Sequence, residues 1–590
     1  MKKIFSIFLA AAMLLPSLLI SPTAAEEKQI SYPFEVSDFT DLSSTGVRPG
    51  ANSAHGNHQI RTVHTSHGDY AAYITNSYEV DDGAMDQWSL FRIDAESGKA
   101  EVVFTGEKYQ ESSQVSLLVD KDENVWAITA SSDYYRSMKT EGVDVRAHRY
   151  DPKTGEVSSY TSIIAGGTED IYGYSTSYYD HVNNRIIALF SGGTYSEDGT
   201  KGSFDWVIFD MNTNRWLRHI YYVRVPSRHC YMNGYIDDNG GLMFVAVRDV
   251  ACIAVGYPEI GSNDGISEED WQYLWDNNIN RWNADYCWDQ LELFYIPDLK
   301  TREIISYNVI KADYSRVEGT QEERNSLEYR FKNFYPQNLN SNGGDFLIEE
   351  TDDGRTLLHI TYNSVYVQAG MDRTVTRDDI WYHQVWDITD PKNAKKIYNE
   401  PIVTEAGIAD CNATNSNYSF RLYKDKDSQV YLISGRAVRP YYEYNEDGSI
   451  KNAVHPKATL SVYRVIEKDG GYTYKKLPKT ASLPGSNQVI NISSPRGGSL
   501  IDNTLNILYY SGTYYFANLS ISDLDITPGD INGDGNINGK DSNLLKQIIS
   551  GVTKPSDVQS FAADLSCDEN INGNDANILS KYLSGEEKQI

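Results

Sequence analysis

Seven times between residues 61 and 510 the chain passes from an apolar strand, through a turn rich in Asp, Asn and Gly, into a second apolar strand. The copies are RTVHTSHGDYAAYIT, SLLVDKDENVWAIT, SYYDHVNNRIIALF, GYIDDNGGLMFVAV, LIEETDDGRTLLHIT, LYKDKDSQVYLIS and SLIDNTLNILYY. A further hairpin follows each of the first six, in LFRIDAESGKAEVVF, AHRYDPKTGEVSSY, WVIFDMNTNRWLRHI, LFYIPDLKTREIISY, VWDITDPKNAKKIY and VYRVIEKDGGYTYKKL. Alternating polar and apolar residues about such turns are hairpin signals. A repeated unit of this size cannot bury its apolar face alone and must stack on its neighbour, so the repeat restricts the fold more than composition does.

Four strands per unit, repeated around a ring, describe a mainly β fold, a seven-bladed β-propeller over residues 26–525. Six or eight blades and separate β-sandwiches are the competing organisations. The seventh unit runs out after TYYFANLSIS, and the N-terminal KQISYPFEVSDF is expected to supply its missing strand. That closure leaves no open sheet edge.

The tail is built differently, as a small α-helical calcium-binding module over residues 526–590. Counting from Asp530, oxygen side chains fall at loop positions 1, 3, 5, 9 and 12: Asp530, Asn532, Asp534, Asn538 and Asp541, with Asn536 at position 7. This spacing wraps a hard cation, and Gly535 at position 6 permits the sharp turn. A second copy places Asp564, Ser566, Asp568, Asn570, Asn572 and Asp575 at the corresponding positions. Each loop is followed by matching apolar residues at helical spacing: Leu544, Leu545, Ile548 and Ile549, then Ile578, Leu579, Tyr582 and Leu583. Gly551 and Gly585 stop the two helices. Neither loop reads as having an entering helix.

This doubled loop-plus-helix, with Asp at position 12, resembles a type I dockerin. The resemblance implies two bound Ca2+ ions and a cohesin domain of a scaffold protein as partner. Ser566 and Glu569 depart from the family pattern at positions 3 and 6 of the second loop. Cohesin choice in the family rests largely on loop positions 10 and 11, here Gly539 and Lys540, then Gly573 and Asn574.

At the other end, MKKIFSIFLAAAMLLPSLLISPTAAEE has the layout of a secretory signal peptide over residues 1–25. No later segment is apolar for long enough to span a bilayer, so neither a membrane nor, at a net charge of −29, a nucleic acid is an expected partner. Five cysteines, Cys230, Cys252, Cys287, Cys411 and Cys567, form no CxxC pair and read as mostly buried thiols.

Residues ahead of the first hairpins should ring one mouth of the central channel. They fall in HGNHQ, ESSQ, YGYST, RHCYMN, NSNGGD, NATNSNY and SSPRG. A polar, aromatic-dotted mouth is a candidate glycan site. Gln114, Tyr174 and Asn415 are candidate sugar contacts, joined by Trp271, Trp275 and Trp282 of the long blade 4 insertion as stacking rings. A polysaccharide lyase needs a proton-taking His or Tyr and an Arg to hold the uronate carboxylate, which His58, His229, Tyr231, Arg228 and Arg496 supply. A glycoside hydrolase needs two carboxylic acids, and the mouth offers only Glu111 and Asp345. The architecture resembles propeller lyases and sialidase relatives in general layout, without a residue-level motif. A non-catalytic glycan-binding module and a protein-binding module stay open beside the enzyme reading. His64 and His67 read as hydrogen-bonded blade-turn residues rather than metal ligands.

Overall fold

The structure is a computed structural model, and it describes residues 34–50, 59–80, 83–94, 96–109, 115–132, 142–166, 171–194, 201–226, 229–250, 287–311, 337–339, 345–369, 375–404, 406–411, 413–426, 428–468, 470–484, 491–492, 504–521, 527–566 and 570–586. Seven antiparallel sheets form the blades. In chain order they span 62–109, 116–165, 171–225, 229–311, 337–401, 416–482 and 491–521, each running from innermost to outermost strand. Blade 7 is completed by the N-terminus: Phe34, Glu35 and Val36 pair antiparallel with Ile521, Ser520 and Leu519. Its innermost described strand, Asn491–Ile492, pairs antiparallel with Tyr510 and Tyr509 of the strand Thr504–Tyr510.

The first turns share one device. In blades 2, 4 and 6 the strand ends on Asp120, Asp237 or Asp425, whose carboxylate accepts the N–H four residues on, from Asn124, Gly241 or Gln429. The other oxygen accepts a ring donor: Trp126 Nε1 at 2.8 Å, Tyr295 OH at 2.8 Å and Tyr431 OH at 3.1 Å. This explains why Asp recurs at a fixed place in the repeat, since it satisfies turn N–H groups that the ladder leaves over. His64 belongs to the equivalent turn of blade 1, with Nδ1 2.6 Å from Asp69 Oδ1, and His67 Nε2 stands 3.6 Å from Glu123 Oε2.

Middle strands read as unbroken apolar runs because both faces are covered. In blade 3, Ile186, Ala188 and Phe190 pack toward blade 2, while Ile187 and Leu189 pack toward blade 4. Each blade-to-blade contact has its own apolar core, and the ring closes through Tyr73 of blade 1, stacked 4.5 Å from Tyr514 of blade 7. The packing is tight enough that Gly106 admits no side chain, for a Cβ there would stand 2.4 Å from the Trp88 ring.

His148 sits between blades 1 and 2, against the Trp88 and Phe104 rings, with Nδ1 2.8 Å from Ser159 Oγ. Burial, reinforced by the Arg146 charge, pushes its pKa down to about 4 from an ordinary 6.5. The folded protein therefore binds fewer protons than the unfolded chain between those values. This contribution is fully present above pH 6.5 and is lost as the pH falls toward 4, amounting to on the order of 3 kcal/mol. His383, fully buried, is displaced in the same direction. Denaturant midpoints at pH 7 and pH 4.5 should differ accordingly, and His148→Asn should flatten the difference; an unchanged slope would contradict this assignment.

The tail forms three helices: α1 (Gly539–Ile549), α2 (Asp557–Ala563) and α3 (Gly573–Ser584). Here the sequence reading needs correction, because α2 runs directly into the second loop as an entering helix. Its signal was a capping box: Ser556 Oγ accepts the Gln559 N–H while Gln559 Oε1 accepts the Ser556 N–H. Gly551 and Gly585 end the other two helices in left-handed conformation, at φ 74° and 77°. Among the described residues no helix is long and apolar enough to cross a membrane.

Candidate functional site

Of the residues nominated from the sequence, His58, Glu111, Gln114, Arg228, Trp271, Trp275, Trp282, Arg496 and Asp568 lie outside the described residues. Tyr174 lies in the innermost strand of blade 3, inside the register shift between Tyr172 and Ser175. His229, Tyr231, Asp345 and Asn415 are described in full.

His229 opens the innermost strand of blade 4, but its side chain faces inward. It is fully buried between the Phe204 and Phe294 rings, and Nε2 lies 2.5 Å from Glu292 Oε2 on the third strand of the blade. Asp345 is also fully buried, accepting the Leu422 N–H across to blade 6 at 2.9 Å. It ties two blades together rather than facing the channel mouth.

Tyr231 and Asn415 are unusual in backbone rather than in polarity. Among the described residues six non-glycine residues have positive φ, and four of them, Glu123, Asn184, Asn214 and Ser428, sit in loops joining paired strands. Tyr231, at φ 54°, lies inside a strand, at the bulge between Cys230 and Asn233. Asn415, at φ 47°, immediately precedes the innermost strand of blade 6. A left-handed aromatic residue inside a strand stores strain of order 1–3 kcal/mol, and such strain concentrates at binding and catalytic positions.

The rim of blade 6 also carries two half-buried arginines that the sequence reading missed. The Arg439 N–H donates to the Asn415 carbonyl at 2.8 Å, and its guanidinium donates to Asn417 Oδ1 at 3.2 and 3.3 Å. Arg436 donates to Ser416 Oγ at 3.1 Å and lies over the Tyr418 ring. Their signal was the segment RAVRP, at the end of the second strand of the blade.

A cavity of about 320 Å³ opens at the other end of the innermost strands, lined by Ile60, Leu118, Tyr178, Tyr235, Phe346 and Ile348 among others. It is mainly apolar. Cys230 and Cys411 are buried thiols, and burial pushes the Cys411 thiol up to about 12.

In the tail, Asp541 and Asp575 are fully buried, and Asp530 and Asp564 nearly so. Asp541 accepts the Asn532 and Asn538 N–H groups at 3.1 and 2.8 Å; Asp575 accepts those of Ser566 and Asn572 at 2.8 and 2.7 Å. Asp530 accepts from the N–H groups of Asp534 and Gly535. Lys540 Nζ, 3.0 Å from Asp534 Oδ2, holds that carboxyl below the usual range. Ser566 Oγ is buried without a hydrogen-bond partner among the described residues. Among those residues no three His, Cys or carboxylate side chains gather closely enough to hold an ion by themselves. Buried carboxylates, an orphaned hydroxyl and side-chain amides fit a hard cation that takes six to eight oxygen ligands.

Residues 528–584 match the family described as the Dockerin type I domain. No curated protein matches the chain. Among solved structures, a ulvan lyase of polysaccharide lyase family PL25 is similar at 10% identity and TM-score 0.42, over 83% of this chain and 96% of that one. The α-L-arabinofuranosidase Arb93A from Fusarium graminearum is similar at 8% identity and TM-score 0.32, over 69% and 92%. The N-terminal domain of Nup159 is similar at 9% and 0.32, over 83% and 97%. Likeness at this level carries nothing about activity. The doubled loops and their capped helices are the two halves of a type I dockerin domain, a calcium-binding module, borne by a seven-bladed β-propeller.

Proposed function

We propose that the protein is a secreted component of a cellulosome-like complex, with a leader at residues 1–25, a propeller at 26–525 and a dockerin at 526–590. The dockerin attaches the propeller to a cohesin domain of the scaffold. It takes one Ca2+ ion per loop, held by Asp530, Asn532, Asp534, Asn536 and Asp541, and by Asp564, Ser566, Asp568, Asn570 and Asp575. The matched dockerin segment carries this half of the reading.

The propeller acts on an acidic plant polysaccharide, and β-elimination is favoured over hydrolysis. In that reaction a base removes the proton beside the uronate carboxylate. The electron pair forms a carbon–carbon double bond, and the glycosidic oxygen leaves. The observation supporting it is the strained Tyr231 at the rim, on the strand that also carries the buried His229, itself paired with Glu292 of the third strand. Full burial makes His229 a positioning residue for that strand, which leaves Tyr231 and His58 as the proton-taking groups. Arg228 and Arg496, with Arg436 and Arg439, are the cations available to a carboxylate. The hydrolase alternative loses support, since one of its two carboxylates, Asp345, is buried between blades.

Tyr231→Phe removes the proton acceptor and keeps the ring. On a uronic-acid polymer it should lower kcat by about a hundredfold or more, and His229→Gln should move the pH profile. Arg439→Ala should chiefly raise KM. A Tyr231→Phe enzyme with wild-type turnover would contradict the assignment.

A further inference from the structure

The outermost strand of blade 6, Gly471–Ser482, differs from a solvent-facing edge. In blade 2 the corresponding strand, Val157–Ala165, leaves Val157 and Ile163 exposed by 37% and 52%. In blade 6, Lys475 is only 6% exposed and Leu477 is fully buried. A lysine is withdrawn from water on an outer strand only where something receives its ammonium.

The dockerin receives it. Lys475 Nζ donates to the carbonyl oxygen of Asp564 at 2.8 Å and stands 4.2 Å from the centre of the Phe561 ring, on α2. One apolar core runs from Leu460 and Leu477 of blade 6 through Phe561 and Leu565 to Leu545 of α1 and Leu579 of α3. Asp564 is position 1 of the second loop, and its residue is itself nearly buried. The propeller therefore grips the main chain where that loop begins.

We propose that the dockerin is seated on blade 6 of its own propeller through Lys475, and that this seat and calcium binding at the second loop stabilise each other. The proposal rests on the reading of two calcium ions. Linkage makes the coupling reciprocal: whatever the seat adds to calcium affinity, calcium adds to the seat. The exposed sides of α1 and α3, including Lys540, Asn543, Lys546 and Asn577, stay clear for a cohesin. Calcium would then fix how the propeller is presented on the scaffold as well as whether it is held.

Calorimetric calcium titration of the full chain tests this, comparing wild type with Lys475→Met, which keeps the stem and loses the ammonium. One of the two sites should weaken about fivefold to tenfold, within the usual range of coupling between sites, and the other should stay within about twofold. Amine labelling of the wild type, read by mass spectrometry, gives a second measure. Lys475 should react far more slowly than Lys546 in calcium, and the gap should narrow in chelator. Two unaltered sites in Lys475→Met, or Lys475 labelling at the same rate with and without calcium, would overturn the coupling alone. A wild type that takes a single ion would overturn the two-ion reading and the coupling with it.

Discussion

Removing calcium from the full-length protein should weaken its capture by a cohesin on the order of a thousandfold, because the loops must then hold their carboxylates without a counter-ion. Asp530, Asp541, Asp564 and Asp575 are withdrawn from water, and in this structure the oxygens of Asp530, Asp541 and Asp575 rest on main-chain N–H groups of the loops. Those bonds orient the carboxylates but supply no full positive charge. Far-ultraviolet circular dichroism should lose helix on chelation, and a pull-down on a cohesin panel should fail in the same samples. Asp530→Ala with Asp534→Ala should weaken capture more than Ser566→Ala, since two charged ligands leave one loop in the first case and one neutral ligand leaves the other in the second. Undiminished capture in excess chelator would contradict the calcium dependence.

Deleting residues 34–41 should lower the thermal midpoint of the whole propeller by about 10 °C or more, rather than loosening one blade. The deletion removes Phe34, 1% exposed, and the pairing of both N-terminal strands with blade 7. It also removes Glu35, the ion-pair partner of Lys479 on blade 6, so two blades lose a neighbour at once. Phe34→Ala alone should cost about 3–5 kcal/mol, the usual scale for emptying a buried phenylalanine site. Differential scanning calorimetry reads both variants. A deletion that melts like the wild type would show that the ring is held shut elsewhere.

The parts of this architecture that were legible in the sequence are those fixed by local chemistry. Asp120, Asp237 and Asp425 mark their turns because an Asp at a strand end satisfies N–H groups two to four residues on. The calcium loops are legible for a similar reason, being ligand sets twelve residues long. What escaped depends on partners far away in the chain. His229 read as a rim base, yet its environment is set by Glu292, 63 residues on, and by two phenylalanines. Asp345 read as a mouth carboxylate, and its receptor is the Leu422 N–H, 77 residues on. The polar file Glu349, His359, His383 and Tyr474, linked at 2.8, 2.9 and 2.9 Å across blades 5 and 6, carried no local signature at all. Helix α2 had a legible capping box, but seven residues are too few for an apolar period to stand out.

The most direct measurement is to incubate the full chain with a panel of plant glycans and follow both retention and product. Uronic-acid polymers, pectic glycans first, should yield products with the ultraviolet absorbance of an unsaturated uronide, because β-elimination leaves a double bond where hydrolysis leaves none, and Tyr231→Phe should abolish it. New reducing ends without that absorbance would contradict elimination, and a panel giving neither retention nor product would contradict a glycan-active propeller altogether.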